Sequence, residues 1–415
     1  MRKDKCAKVT GGGKNTLLAA IAALGLALSA TAGRTGPWTK EKAWEWYDAQ
    51  PWMRGVNYLP ASAANYVDMW QELGSGERFE EMEREFALAE ETGFNVIRLI
   101  IHEQGFGVWL ADHDGFMARL ERWLQMLDKH GMRAIVLLGN DCSRPKEYWK
   151  LPTPGPQPND WGYHGGRKAS QHGSFPGAVG YTVLDDTGLN PKFYEMCREI
   201  VTKYRTDRRI AFWNVWNEPG NANRGKLTLV HMKKLFELCW EIDPVQPLAA
   251  DVWCERYGMG FKPDDNPSEA ERNKEAVQKL AGELSDIISY HCYHSYETQV
   301  ELIRNLRKFY GRPLVNTEWL ARCQQCNVED CYPLFYIEKV GSVNWGLVAG
   351  KYQTYEPWES AWRKFERGDG GHYDMTKWLH DLYRPSHRPY DPNEIRIIKK
   401  FNALADEDFA SKSRQ

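Results

Sequence analysis

The chain lacks an excess of charge of either sign. Its 54 Lys and Arg stand against 56 Asp and Glu, a formal net charge of −2 over 415 residues. That removes the electrostatic footprint expected of a nucleic-acid-binding protein. It also lacks the spacings that hold a catalytic metal: neither an H-x-H nor an H-E-x-x-H pattern occurs. The run GGGKNT at 11–16 imitates a phosphate loop, but it has no upstream Gly at the required spacing and no Ser or Thr directly after Lys14. There is no low-complexity segment and no internal repeat beyond a strand–helix unit. Leu17 to Leu28 is apolar but too short and too rich in Ala to span a bilayer comfortably.

That apolar stretch reads instead as the centre of an export signal over residues 1–32. Arg2, Lys3, Lys5, Lys8 and Lys14 precede or flank it, and Ala30-Thr31-Ala32 offers a small-residue cleavage site before Gly33. No Cys follows that site, which argues against a lipid anchor. The expectation is a periplasmic or extracellular protein with no membrane association once the signal is removed. Of nine cysteines, Cys6 leaves with the signal. The remaining eight permit disulfides in an exported protein, and one is expected within the cluster Cys323, Cys326 and Cys331. Cys197 and Cys239 fall in helical patterns and read as buried free thiols.

What is present in quantity is aromatic: 18 Trp and 20 Tyr. Most serve a large core, but aromatic rings also stack on the apolar faces of sugars. The length suits one large barrel or two ordinary domains. Eight strand-like runs decide for the barrel: 54–60, 94–102, 133–142, 209–218, 246–254, 285–294, 312–319 and 342–351. Between them lie segments with helical periodicity, such as ERFEEMEREFALAEETG and FMARLERWLQMLDKHG, each closing on a Gly before the next strand. Near-continuous apolar strands alternating with helices imply a parallel sheet covered on both faces. Eight such units predict a single (β/α)₈ barrel over 33–415. Two long stretches interrupt it, 142–186 after the third strand and the aromatic loop 352–374 after the eighth.

In such barrels the active site gathers at the C-terminal strand ends. The fourth run, RIAFWNVWNEPG, stops abruptly at Asn217-Glu218-Pro219, and the seventh, GRPLVNTEWLA, carries Glu318 in the equivalent place. Two strand-end carboxylates are what a glycosidase requires: one protonates the leaving oxygen and the other faces it across the scissile bond. No metal and no cofactor are called for. Other strand ends supply Arg98, which can keep a nearby carboxylate ionised, and Asn217, which can bind a sugar 2-hydroxyl. Tyr293 can donate to the nucleophile, His291 can tune the acid, and Trp345 offers a platform for the ring. Asp141, Trp161, Trp319, Lys351 and Gln353 are further pocket candidates. Period-two alternation puts His291 and Tyr293 on one face, with Cys292 and His294 facing outward.

The motifs NVIRL (95–99), WNEP (216–219), HCY (291–293), TEW (317–319) and NWG (344–346), in that order, resemble glycoside hydrolase family 5. The resemblance implies a retaining mechanism with Glu218 as acid/base and Glu318 as nucleophile. It also implies Arg98, Asn217, His291, Tyr293 and Trp345 as their supporting shell. Many members carry a His at the end of strand three, where this chain has Asn140-Asp141. The stretches 43–71, 344–354 and 378–395 are similar to the subfamily 18 branch, which implies an exo-acting β-mannosidase on oligosaccharides or polysaccharides. The alternatives are an endo-β-1,4-glycanase and a non-catalytic carbohydrate-binding barrel.

Overall fold

The computed structural model describes residues 33–414 apart from 160–163, 167–176, 255, 263–264, 370, 372 and 413. The signal expected over 1–32, and the pocket candidate Trp161, lie outside the described residues.

Eight strands form a closed barrel in sequence order. They are β1 (Arg54–Asn57), β2 (Val96–Ile100), β3 (Arg133–Asn140), β4 (Ile210–Asn217), β5 (Leu248–Val252), β6 (Ile288–His291), β7 (Leu314–Glu318) and β8 (Gly341–Trp345). Every neighbouring pair, including β1 with β8, is parallel. The chain is therefore a (β/α)₈ barrel; seven strands lie within the runs read from the sequence, and β8 starts one residue ahead of its run, at Gly341. The helices between them start and stop for local reasons. Helix Ser75–Thr92 ends at Gly93, whose φ of +86° lets its N–H reach the carbonyls of Ala89 and Glu90. Helix His113–Lys129 starts at Asp112, whose carboxylate accepts from Gly115 N at 3.2 Å. It buries Phe116, Leu120, Trp123, Leu124 and Leu127 along one stripe.

The barrel interior has two tiers. The lower one is apolar and holds Val96, Ile135, Phe212, Ala249, Ile287, Val315 and Val343. Helix Lys40–Asp48 closes that end: Tyr47 packs into the same cluster and its hydroxyl donates to Lys339 O at 2.9 Å. The upper tier is polar, with Asn57, Arg98, Asn214, Asp251, Ser289 and Thr317 all buried. A larger apolar shell fills the space between the strands and the surrounding helices.

Two expectations need correction. The aromatic stretch 352–374 is not loop throughout, because Glu359–Glu366 forms a helix. The disulfide expected among Cys323, Cys326 and Cys331 is not formed, and these three are free thiols. Cys326 Sγ and Cys331 Sγ are 4.0 Å apart, against a bond length of about 2.05 Å. Cys197 and Cys239 are buried free thiols, as read. Among the described residues no helix is long and apolar enough to cross a membrane.

Candidate active site

The polar tier exists to serve Arg98. Its side chain is completely buried, and all its donors are used. Nε donates to Asn214 Oδ1 at 2.8 Å. One terminal nitrogen donates to Asn57 Oδ1 at 2.7 Å and Glu318 Oε1 at 2.5 Å, and the other to Asn217 Oδ1 at 2.7 Å and Asp251 Oδ2 at 2.9 Å. One cation thus ties together the ends of five strands. Asp251 is itself fully buried. Asn214 Nδ2 at 3.0 Å, Thr317 Oγ1 at 3.1 Å and the Ser289 hydroxyl all donate to its other oxygen. Burial opposes its charge, but His291 and Arg98 overcome that and hold it down to about 2.

Glu318 lies above Arg98 and accepts from Tyr293 Oη at 2.7 Å through its second oxygen. Burial, reinforced by the Glu318 charge, pushes the Tyr293 hydroxyl well above its usual range, so it remains a donor. Glu218 enters from β4 across a strained turn. Its φ is +43°, and Gly220 follows at +81°. A positive φ is rare for a residue of this type and costs of order 1–3 kcal/mol, so the surrounding contacts must hold it. Glu218 Oε1 is 3.0 Å from His291 Nδ1. Its Oε2 accepts from Asn221 Nδ2 at 2.5 Å and Cys142 Sγ at 3.1 Å.

His291 lies between the two glutamates. Its Nδ1 is also 3.4 Å from Glu318 Oε2, and its Nε2 is 3.3 Å from Asp251 Oδ2, an ion-pair contact without good hydrogen-bond alignment. Burial would strip its proton, yet the carboxylates of Glu318 and Asp251 outweigh burial and raise it to about 10. The imidazolium in turn favours the Glu218 anion. Burial raises that carboxyl, but the His291 proton and the Cys142 and Asn221 donors bring it below its ordinary value. Oxygens of Glu218 and Glu318 and a nitrogen of His291 lie within 4.8 Å of one another. A cation bound there would have to displace a proton that these two carboxylates and Asp251 hold in place.

These groups open into a cavity of about 520 Å³ at the C-terminal mouth of the barrel. Both long loops wall it. The segment after β3 contributes Cys142, Ser143, Arg144 and His164, and the segment after β8 contributes Tyr352, Trp358, Glu359 and Ser360. The two meet directly, with Gly166 N donating to Pro357 O at 2.8 Å. Trp345 lies at the base, its ring 4.7 Å from His164 and stacked 6.2 Å from both Tyr352 and His380. Burial lowers His164 to about 3 and His380 well below the usual range, so both rings are neutral.

Glu218, Glu318, Asn217, His291, Tyr293 and Trp345 all line this cavity, while Arg98 lies directly beneath it. Asp141 is elsewhere. Its carboxylate accepts from Gly220 N at 2.6 Å, Arg224 Nε at 2.7 Å and the Thr228 hydroxyl, so it fixes the turn after Glu218; it is fully buried and outside the cavity wall. Trp319 is core: it has no exposed surface and packs on Phe335 at 5.0 Å. Lys351 and Gln353 are not in the wall. His294, expected to face outward, does line the cavity, because β6 ends at His291 and alternation ends with it. The sequence reading passed over Asp251, Asn221, Cys142, His164, Tyr352 and His380. Of these only Asp251 carried a signal, an acid inside the apolar run LAADVW.

No family model matches the chain, and no curated protein matches it by sequence. Solved structures do match its fold. The exo-β-1,4-mannosidase Op5Man5 from Opitutaceae bacterium strain TAV5 superposes with a TM-score of 0.52 at 12% identity over 91% of this chain, which spans 62% of the length of that protein. The endo-β-1,4-mannanase from Thermotoga petrophila gives 0.50 at 14% identity, covering 86% of this chain and 77% of the other. The endo-1,4-β-mannanase from Rhizomucor miehei gives 0.50 at 13%, covering 90% and 99%. At these identities the likeness is one of fold.

Proposed function

We propose that the protein is a retaining β-glycoside hydrolase of the family 5 type, exported, and acting as an exo-β-mannosidase. The observation that carries the reading is the approach of Glu218 and Glu318 to within 4.8 Å around one imidazole, at the mouth of the barrel. Retaining glycosidases hold their two carboxyl groups about 5–5.5 Å apart, whereas inverting ones leave about 6.5–9.5 Å for a water. In the first step a Glu318 oxygen attacks the anomeric carbon as Glu218 gives its proton to the departing glycosidic oxygen. Arg98 and Tyr293 orient Glu318 for that attack. In the second step Glu218 takes a proton from water, which attacks the same carbon and releases Glu318 and the sugar.

Glu218 must be protonated when the first bond breaks, although the free site favours its anion. A sugar between the two carboxylates excludes water and leaves Glu318 charged beside Glu218. Both effects raise the Glu218 carboxyl. The mannosidase assignment rests on the sequence motifs and on a site walled by both long loops. Proteins of similar fold include an exo-β-1,4-mannosidase and endo-acting mannanases. Asp141 is fully buried outside the cavity, so the contact to an axial 2-hydroxyl is assigned to Asn140, which lines the cavity beside Asn217; Asn217 Nδ2 donates to Asn140 Oδ1 at 2.9 Å.

Glu318→Ala is expected to abolish turnover of all substrates. Glu218→Ala should lose substrates with poor leaving groups but retain activated aryl glycosides, with azide restoring the second step as a β-glycosyl azide. Equal loss of both substrate types in the Glu218 variant, without azide rescue, would refute the role assignment. Comparing kcat/KM for aryl β-mannoside, β-glucoside and β-xyloside tests the sugar. A preference for glucoside or xyloside removes mannose and leaves the mechanism.

A further inference from the structure

The donors around Glu218 come from two sides. His291 faces Oε1 from β6, whereas Asn221 and Cys142 both address Oε2. Asn221 is fixed by its own Oδ1, which accepts from Ala222 N at 2.6 Å. Cys142, two residues beyond β3, is in the cavity wall. Its sulfur is 3.5 Å from Asn217 Nδ2 and 3.4 Å from Asn221 Nδ2, both of which can donate to it. A thiol has one proton. With two amides facing its lone pairs, the S–H is left for Glu218. Burial and the Glu218 charge push Cys142 well above the usual thiol range, so the donor form persists.

We infer that Cys142 is a positioning residue, which orients the outer oxygen of Glu218 and sets its proton affinity, with Asn221 as its fixed partner. This rests on the reading of Glu218 as acid/base. That role needs a carboxyl able to hold a proton in one step and to release it in the next. A hydroxyl in place of the thiol would be a stronger donor and would favour the anion throughout. An apolar side chain would remove the donor and favour the acid. The weak S–H lies between these limits. The other groups facing Glu218 are His291, Glu318 with Tyr293 and Arg98 behind it, Asp251 below His291, and neutral His164 from the loop after β3. Asp141, adjacent to Cys142, is balanced by Arg224. None of these changes when the thiol is replaced.

The test is the pH profile of kcat/KM on a β-glycoside whose leaving group needs protonation, measured for the native protein, Cys142→Ala and Cys142→Ser. The alkaline limb reports the acid. It should move up by about half a pH unit in Cys142→Ala and stay at or below the native position in Cys142→Ser. A limb unmoved in Cys142→Ala, or displaced upward equally in both variants, would show that the thiol only fills space. Cys142→Val, which fills the space of the thiol with apolar atoms and no donor, replaces the alanine variant if that one does not fold. Glu218→Gln is measured alongside. If it retains turnover of the same substrate, the acid/base reading is wrong whatever Cys142 does.

Discussion

At the scale of residues, the site is a charge ladder in which each member holds its neighbour in one protonation state. Arg98 and His291 provide two cations for Asp251, Glu218 and Glu318. Removing Arg98 would leave buried carboxylates uncompensated, so Arg98→Met is expected to destabilise the fold by about 3–5 kcal/mol, read by denaturant unfolding. A loss under 1 kcal/mol would show that the tier does not depend on it. His291 gives a second prediction. Its folded pKa of about 10 is above its unfolded value near 6.5, so its proton contributes stability that is full below that unfolded value and is lost as pH rises through about 10. Asp251 has the opposite sign: its contribution is present above its unfolded value near 3.8 and is lost as pH falls through about 2. Asp251→Asn removes one of the carboxylates that hold the His291 proton. The alkaline fall in Tm should therefore begin at lower pH in the variant, and parallel Tm curves between pH 6 and 10.5 would contradict the coupling.

At the scale of elements, the cavity depends on how two loops are seated. Helix His102–Ala111 presents Gly107 to the segment after β3 so closely that a Cβ there would be 1.8 Å from Pro152 O. The contact is backbone to backbone, so a larger residue must displace the segment that carries Cys142 and His164. Gly107→Ala is expected to raise KM severalfold with a smaller change in kcat, measured on an aryl glycoside. An unchanged KM would mean that the loop is seated by its other contacts. The helices were legible because their signals are local, a helical period closing on a Gly such as Gly93. The helix Glu359–Glu366 was not, because eight residues among aromatics give too short a period to read.

At the scale of the whole molecule, a closed barrel leaves one polar mouth, and the two long loops meet over part of it. If they close one end of the groove, the substrate enters by a chain end and one sugar leaves per turnover. Time-resolved product analysis on β-linked manno-oligosaccharides should then show the monosaccharide and a substrate shortened by one unit from the earliest times. Early release of internal fragments would identify an endo-acting enzyme and an open groove.

The sequence by itself determined the barrel, because strand and helix signals are local and eight units of parallel sheet have one economical closure. It also located Glu218, Glu318, Arg98, His291 and Tyr293, whose polar side chains stand out at the ends of apolar runs. Only the tertiary structure decided which way several of these side chains point. Alternation would send Asn214 and Asn217 to opposite faces, yet both accept from Arg98; the pairing of β4 with β5 shifts register between Asn214 and Trp216. Thr317 and Glu318 are consecutive, yet Thr317 donates to Asp251 and Glu318 accepts from Arg98; the register of β6 with β7 shifts at Tyr290 and His291. A slip of one residue exchanges the faces of a strand, and a slip is fixed by the neighbouring strand rather than by the strand itself. Beyond the end of β3, Asp141 and Cys142, adjacent in sequence, also part company. One is sealed against Arg224 behind the turn, and the other faces the carboxylate in the cavity.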